Sequence, residues 1–478
     1  MDTVKWYGWG NEAIDRARET DRPLFVWIGY RGCKACARME SETFVDPQVA
    51  EALQHSFIPV KVDRDDWPDV DRRLQNLLFH WLGRTEGWPM SAFVSPEMVP
   101  LYLETYLPPQ TGGGQLGLDQ IAQLVRQAYA TQRHKRLEQG RKVLKKLALP
   151  TSIEATRLDT KYLKETFWQQ VESVYDQKYG GFVEVPKRLH LSTLETLLVL
   201  AERFGNDVAA DRVSHTVTRL YDSSMWHEAG GVCRAGEGES WNDASTNRYT
   251  IDATAMIQIL LKLSVLKRED LYRQWAFELS DWLLLALRQP KGVFGFGVLG
   301  EAVEVRAFAS IQARTASALI ASAHADDRYR PDALGAVQTL MDRFVHGDAI
   351  VHRIGLDNPN GYLDDYATVA STLLDAYALT QNEAFESAAV QIVNEAIKRF
   401  YHGGFWRLSD GIFDDPSPWV DTDTPAPAAS MITVLDRLSR EVDKVYTKFV
   451  TQSLAVASYD LMRKPLERAT LVQVALHQ

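Results

Sequence analysis

Two cysteines two residues apart, in Gly32-Cys33-Lys34-Ala35-Cys36, are the strongest chemical feature of this chain. That spacing puts both sulfurs within disulfide reach on the first turn of a helix. There the free backbone N–H groups and the positive end of the helix dipole stabilise a thiolate. Arg31, Lys34 and Arg38 add cationic neighbours. Cys33, at the helix mouth, would be the attacking thiol, and Cys36, one turn in, would resolve the mixed disulfide. Zinc is the chemical rival, but a structural site takes four ligands, usually from a second Cys or Cys/His pair. Only Cys233 is left, far along the chain, and no metal or other cofactor is expected. An inert, reduced pair remains the bland alternative; the context favours redox-competent thiols.

A second set of residues that could do chemistry lies beyond residue 151. Asp252, Asp364 and Asp365 stand at helix starts, with Glu195, His352 and Arg353 at related places in the pattern. Trp226, Trp241, Tyr249, Tyr362, Trp406 and Trp419 sit beside glycine loops. Paired carboxylates can serve as acid and base on a sugar, and aromatic rings can stack on its faces. Against this, Asp at a helix start is a favoured N-cap worth ~1 kcal/mol, and aromatics beside glycine loops commonly plug a barrel mouth. The structural readings carry more weight. His190, His227, His352 and His402 lack the i, i+4 spacing of a helical metal pair. Asp414, Asp415, Asp421 and Asp423 flank Pro416-Ser417-Pro418-Trp419 without the ligand spacing of a calcium loop, so a long acidic loop, placed to cover a funnel, is expected.

The elements that must position these residues fall into three segments. Up to about residue 110 the order is β-α-β-α-β-β. A helix is predicted over 11–20, a buried strand over 23–29, helix over 34–55 broken at Pro47, a strand over 57–63, a helix over 70–82, and strands over 89–95 and 99–103. Thr111-Gly112-Gly113-Gly114 reads as a linker, and 121–149 as a helix. From Ile121 to Ala148 that helix carries eight Lys or Arg against one acid, Glu138, which reads as a solvated face. The linker and basic helix make a separate segment, 111–150.

From 151 to 478 helical periodicity dominates, with eleven candidate helices and glycine–aromatic elements between alternate ones. Steps from Gly181 to Gly231, Gly292, Gly361 and Gly404 are 50, 61, 69 and 43 residues, a degenerate repeat of two helices plus a glycine loop. Units that cannot bury their own apolar face must stack on neighbours. A twelfth helix would close six hairpins into an (α/α)6 toroid with all the large loops at one mouth. An open superhelix is the competing architecture.

Composition bounds the function. With 45% apolar and 24% charged residues the chain is ordinary globular protein, and its net charge of −10 disfavours nucleic acid as the main partner. The longest dense apolar run, Trp282 to Leu287, is six residues, far short of the ~20 that span a bilayer. The N-terminal residues lack a basic stretch followed by an apolar one, and three cysteines are too few for a disulfide scaffold. A cytoplasmic protein, without nucleic-acid or membrane partners, is expected.

The motifs Trp6-Tyr7-Gly8-Trp9, Ala17-Arg18, Pro23-Leu24-Phe25, Gly29-Tyr30, Met39-Glu40, Thr43-Phe44, Val60-Lys61-Val62-Asp63-Arg64, Pro68-Asp69-Val70-Asp71, Gly87-Trp88-Pro89 and Thr105-Tyr106-Leu107-Pro108 follow one another around the cysteine pair. Over residues 1–109 the chain resembles the thioredoxin-domain family that includes spermatogenesis-associated protein 20. Weaker landmarks continue at Tyr175-Asp176, Tyr179-Gly180-Gly181-Phe182, Tyr362-Leu363-Asp364-Asp365-Tyr366-Ala367, Gly403-Gly404-Phe405 and Thr424-Pro425-Ala426-Pro427. The resemblance implies a thioredoxin-like domain (1–110) followed by an (α/α)6 domain (151–478) like those of six-hairpin glycosidases and sugar epimerases. The sugar connection comes from the resemblance alone.

In a thioredoxin-like sheet a proline opens the strand facing the cysteines, so Pro89 is expected to be cis and adjacent to Cys33, with Trp88-Pro89 as a peptide-binding wall. There are departures. Family members often carry histidines after each cysteine; here those positions are Lys34 and Ala37. Thioredoxins proper place a buried acid six residues before the first cysteine, where this chain has Trp27. A His-Phe-Glu-Lys run in relatives corresponds to Ser245-Thr246-Asn247-Arg248. The chain therefore reads as a shortened, partly degenerate member.

The expectation is a thiol–disulfide oxidoreductase or redox-linked protein acting through Cys33 and Cys36 on a protein thiol or disulfide, with the toroid as substrate or partner module. In the toroid, Asp252, Arg353, Asp365 and Trp406 are the residues expected to meet a small-molecule or sugar ligand. A carbohydrate-active enzyme with its acid and base in the toroid, or a non-catalytic scaffold, are the alternatives.

Overall fold

The computed structural model describes residues 4–83, 87–147, 157–356, 360–413 and 415–478. The expected boundary at 150/151 and Asp414 lie outside them. The chain divides into two compact units, Met1–Thr151 and Ser152–Gln478.

The first unit runs β1 (Tyr7–Gly8), α1 (Asn11–Thr20), β2 (Leu24–Gly29), α2 (Lys34–Glu42), α3 (Pro47–Ser56), β3 (Ile58–Asp63), α4 (Pro68–Leu82), β4 (Met90–Val94), β5 (Pro100–Glu104) and α5 (Leu118–Leu144). Its five strands lie in the order β1-β3-β2-β4-β5. β1, β3 and β2 are parallel, while β4 pairs antiparallel with both β2 and β5. All six residues of β2 are buried, as befits an unbroken apolar run at the centre of a covered sheet. The break between α2 and α3 has a local cause. Asp46 accepts from the Gln48 and Val49 N–H groups, and Pro47 occupies the first helical position, where a missing N–H costs nothing. β1, two residues long, is too short to read from the sequence.

The basic helix corrects the expected segmentation. α5 packs on α3, α4 and β5, and Leu118, Ile121, Ala122, Val125 and Tyr129 enter the core of the first unit. These residues recur at three- and four-residue steps, the apolar stripe of an amphipathic helix. α5 is therefore the closing helix of the first unit, with most of its charges turned to solvent.

Among its described residues the second unit has twelve α-helices: α6 (Thr160–Val174), α7 (Leu191–Phe204), α8 (Asp207–Tyr221), α9 (Thr250–Lys267), α10 (Asp270–Trp282), α11 (Ala309–Ala325), α12 (Arg330–Phe344), α13 (Leu363–Thr380), α14 (Glu383–Phe400), α15 (Pro427–Glu441), α16 (Thr447–Arg463) and α17 (Ala469–Ala475). α7, α9, α11, α13, α15 and α17 form an inner ring, each packed on the next, and α17 returns to α7. That last contact closes the toroid and excludes the open superhelix. The inner helices are apolar or small on most faces because all but the side turned to the centre of the ring is covered.

Tight turns such as Gly205-Asn206 and Gln381-Asn382 lead from inner to outer helices, and the long glycine loops all lead back to inner-helix N-termini. At one of these loops, Gly230 and Gly231 have φ of 83° and 85°. A Cβ on either would lie 2.6 or 2.8 Å from Trp282, so both conformation and space demand glycine. Among the described residues no helix is long and apolar enough to cross a membrane.

Candidate functional site

β2 delivers the chain to the cysteines and α2 starts from them. Cys33 is the N-cap of α2, in extended conformation, and its Sγ accepts the Cys36 N–H at 3.1 Å. The two sulfurs are joined as a disulfide across a Cα–Cα distance of 5.2 Å. Cys33 is 8% exposed and Cys36 2%. The outer sulfur is thus the reachable one, and the inner one is sealed among core side chains. No acidic residue stands in the first turn of α2. A thiolate on Cys33 would therefore face helix N–H groups with no opposing carboxylate from that turn.

Beside the pair stands an aromatic wall. Trp88-Pro89 is a cis peptide bond, and β4, which it opens, pairs Met90 with Ile28 of β2. The sheet register therefore carries Trp88 and Pro89 alongside the end of β2 from which the cysteine loop departs. Tyr30, whose carbonyl accepts the Cys33 N–H, meets Trp88 edge-on at 5.6 Å. The Arg64 guanidinium lies 3.6 Å from the Tyr30 ring centroid and 4.3 Å from that of Trp88. The Trp88 indole N–H donates to Asp71 at 2.8 Å. Burial pushes the Asp71 carboxyl up to about 6, against the lowering effect of that donor and of Arg64. Arg64 and Asp71 were legible only as parts of family motifs; their role in holding the wall comes from the fold.

Trp27, in place of a buried acid, lies with its indole ring over Gly29. It packs edge-on to Phe44 at 5.4 Å, and its buried indole nitrogen meets no hydrogen-bond partner among the described residues.

The toroid residues are placed differently from the expectation. Asp252 is 2% exposed and holds Arg234 with both oxygens, at 2.8 and 2.9 Å. Asp365 accepts the Tyr362 N–H at 2.9 Å as a helix cap and pairs with His352 Nδ1 at 2.7 Å. Trp406 is buried, its indole donating to Ser453 at 3.0 Å. Arg353 lies in the loop before α13, bridged through its backbone to Phe308. None of these four lines the central cavity of the ring. Asp252, Asp365 and Trp406 make a buried ion pair, a helix cap with a histidine contact, and an indole hydrogen bond within the packed ring. Cys233 is a free, buried cysteine, and burial pushes its thiol up to about 11.

What does open at the centre of the ring is a cavity of about 260 Å³ to which all six inner helices contribute. Glu195, Gln258, Arg314, Asp375, Asp423 and Gln473 line it, together with many serines and threonines. Among its lining residues there is no aromatic ring and no histidine. Glu195 was a candidate from the sequence, and Asp423 belongs to the acidic loop expected to cover the funnel. Arg314 and Asp375 were missed; their signal was a charge in the middle of an otherwise apolar inner helix.

Residues 1–148 match the family model Thioredox_DsbH, described as a protein of unknown function, DUF255. The match lies within the first unit. Spermatogenesis-associated protein 20 of Homo sapiens is 32% identical over 300 residues, 61% of this chain and 38% of that protein. The Mus musculus protein of that name is 25% identical over the same shares. The match thus spans less than two fifths of these relatives' own length.

Solved structures resemble the second unit. A sugar epimerase from a ruminal bacterium superimposes with a TM-score of 0.54 at 12% identity, covering 62% of this chain and 86% of that one. Cellobiose 2-epimerase from Bacillus thermoamylovorans gives 0.55 at 9%, covering 66% and 98%. A family 76 glycoside hydrolase from Bacteroides thetaiotaomicron gives 0.52 at 13%, covering 68% and 78%. At such identities the likeness is one of fold, the (α/α)6 toroid.

Proposed function

We propose that this chain is a thiol–disulfide exchange protein acting through Cys33 and Cys36 on an extended segment of a partner protein. The observation that carries the reading is the position of Cys33: a helix N-cap whose sulfur accepts a backbone N–H and which is the more accessible half of a disulfide. In the oxidising direction a partner thiolate attacks Cys33 Sγ, the Cys33–Cys36 bond breaks, and Cys36 leaves as thiolate. A second partner thiolate then displaces Cys33, so two electrons pass to the pair as the partner gains a disulfide. The Tyr30–Arg64–Trp88 wall is the surface against which the partner segment would lie.

The carbohydrate-active alternative rests on the fold likeness, and the central cavity offers it no aromatic platform. The deciding experiment is a redox titration of the whole chain, with free thiols alkylated and Cys33 and Cys36 read by peptide mass. A reversible two-electron transition between roughly −120 and −270 mV, the span of dithiol catalysts, is expected, and it should vanish in Cys33→Ser. Absence of reversible pairing would end the proposal.

A further inference from the structure

The central cavity of the second unit has an unusual hydrogen-bonding balance. Thr254, Thr368 and Thr433 each donate their hydroxyl hydrogen to a carbonyl of their own helix, at 2.8, 2.8 and 2.9 Å. Ser317 donates to Asp375 at 2.6 Å. The side-chain amide of Gln258 donates to Ser317 at 3.3 Å and that of Gln473 to Thr196 at 3.0 Å. With their single hydroxyl hydrogens committed, the three threonines and Ser317 present lone pairs to the cavity, while each glutamine amide keeps a further hydrogen. Three carboxylates, Glu195, Asp375 and Asp423, add acceptors, and Arg314 is the one cationic side chain among the lining residues.

The charges are just as uneven. Asp375 is neutralised by Arg437, and Arg314 by Asp364 at 3.0 Å. Asp423 shares the single Arg234 guanidinium with Asp252, leaving one negative charge over. Glu195 forms no close ion pair among the described residues; burial raises its carboxyl above the ordinary range, against the opposing pull of Lys262, Arg314 and a hydrogen bond from Gln473. An acceptor-rich, net-negative cavity suits a ligand that is all donors at one end, which is the chemistry of an ammonium group: three hydrogens and no lone pair. A volume of 260 Å³ is that of eight or so waters, at ~30 Å³ each, enough for a small aliphatic molecule.

We propose that this cavity binds a small hydroxylated primary amine in its ammonium form, with Glu195 as counter-ion and Arg314 meeting a ligand hydroxyl. Isothermal calorimetry on the full chain with 2-amino-1,3-propanediol tests this. Glycerol, its near-isostere with hydroxyl in place of ammonium, is the control, and both are run at matched ionic strength. The amine should give saturable one-to-one binding and glycerol should bind at least tenfold more weakly. Glu195→Gln should cost at least tenfold in amine affinity. Ser371→Leu, which fills the cavity and leaves its charges in place, should abolish binding, and it decides the question if Glu195→Gln fails to fold. Equal binding of glycerol and amine, no saturable heat with the amine, or undiminished binding in folded variants would each overturn the proposal.

Discussion

Asp252→Asn separates a structural from a ligand-binding role for the carboxylate that the sequence marks most plainly in the toroid. Both Asp252 oxygens accept from Arg234, Asp252 is almost wholly buried, and Arg234 is a fifth exposed. The substitution leaves Arg234 with Asp423 at 3.2 Å, a half-exposed partner of small worth. Breaking a buried pair by removing one member costs ~3–5 kcal/mol; partial exposure and the remaining partner reduce this to about 2–3 kcal/mol. At roughly 2 °C per kcal/mol for a unit of this size, the melting temperature of the second unit should fall by about 5 °C.

Urea denaturation followed by far-ultraviolet circular dichroism and by tryptophan fluorescence should resolve two transitions for the two units. Only that of the toroid should move, and thiol exchange at Cys33 should be unchanged. Asp252→Leu with Arg234→Met should recover most of the loss, since replacing both members of a buried pair by apolar groups is close to neutral. A loss below ~0.5 kcal/mol in the single variant, or no recovery in the double variant, would refute the assignment of Asp252 as the anchor of Arg234.

Three further outcomes are expected. Asp71, held at about 6 in the fold against ~3.9 when unfolded, binds its proton more tightly in the native state. Stability of the first unit should therefore fall as pH rises from about 4 to about 6, by up to ~3 kcal/mol; Asp71→Asn should flatten that slope in urea midpoints taken across the range. Gly29→Ala would put a Cβ 2.5 Å from the Trp27 ring, and the overpacking should cost the first unit about 1–3 kcal/mol by chemical denaturation. Leu471 is fully buried on the helix that closes the ring, so Leu471→Ala should cost the second unit about 2–5 kcal/mol. A negligible loss there would mean that α17 does not close the toroid.

How far the sequence could be read depended on the range of each interaction. The strands, most helix ends and the cysteine pair follow from local patterns: a continuous apolar run for β2, Asp46-Pro47 as a helix start, glycine at turns. Eleven inner and outer helices were legible for the same reason. The twelfth, α17, was not, because seven residues carry too little periodicity to distinguish a short helix from a strand. The role of α5 was misread because its basic residues outnumber the apolar ones, although the apolar stripe is what packs.

The sequence by itself indicated the two fold classes, through motifs and repeats that recur along the chain, and the Cys33–Cys36 pairing and the cis bond before Pro89, each written in residues close together. Only the tertiary structure decided what the carboxylates of the toroid do. Asp252, Asp364 and Asp365 look alike as acids at helix starts, yet their partners, Arg234, Arg314 and His352, come from other loops and helices. The same holds for Glu195 and Arg314, brought to one cavity by ring closure between helices far apart in the chain. Whether a carboxylate is spent on an ion pair or left to meet a ligand depends on which charge the fold sets a few ångströms away, and no local pattern encodes that distance.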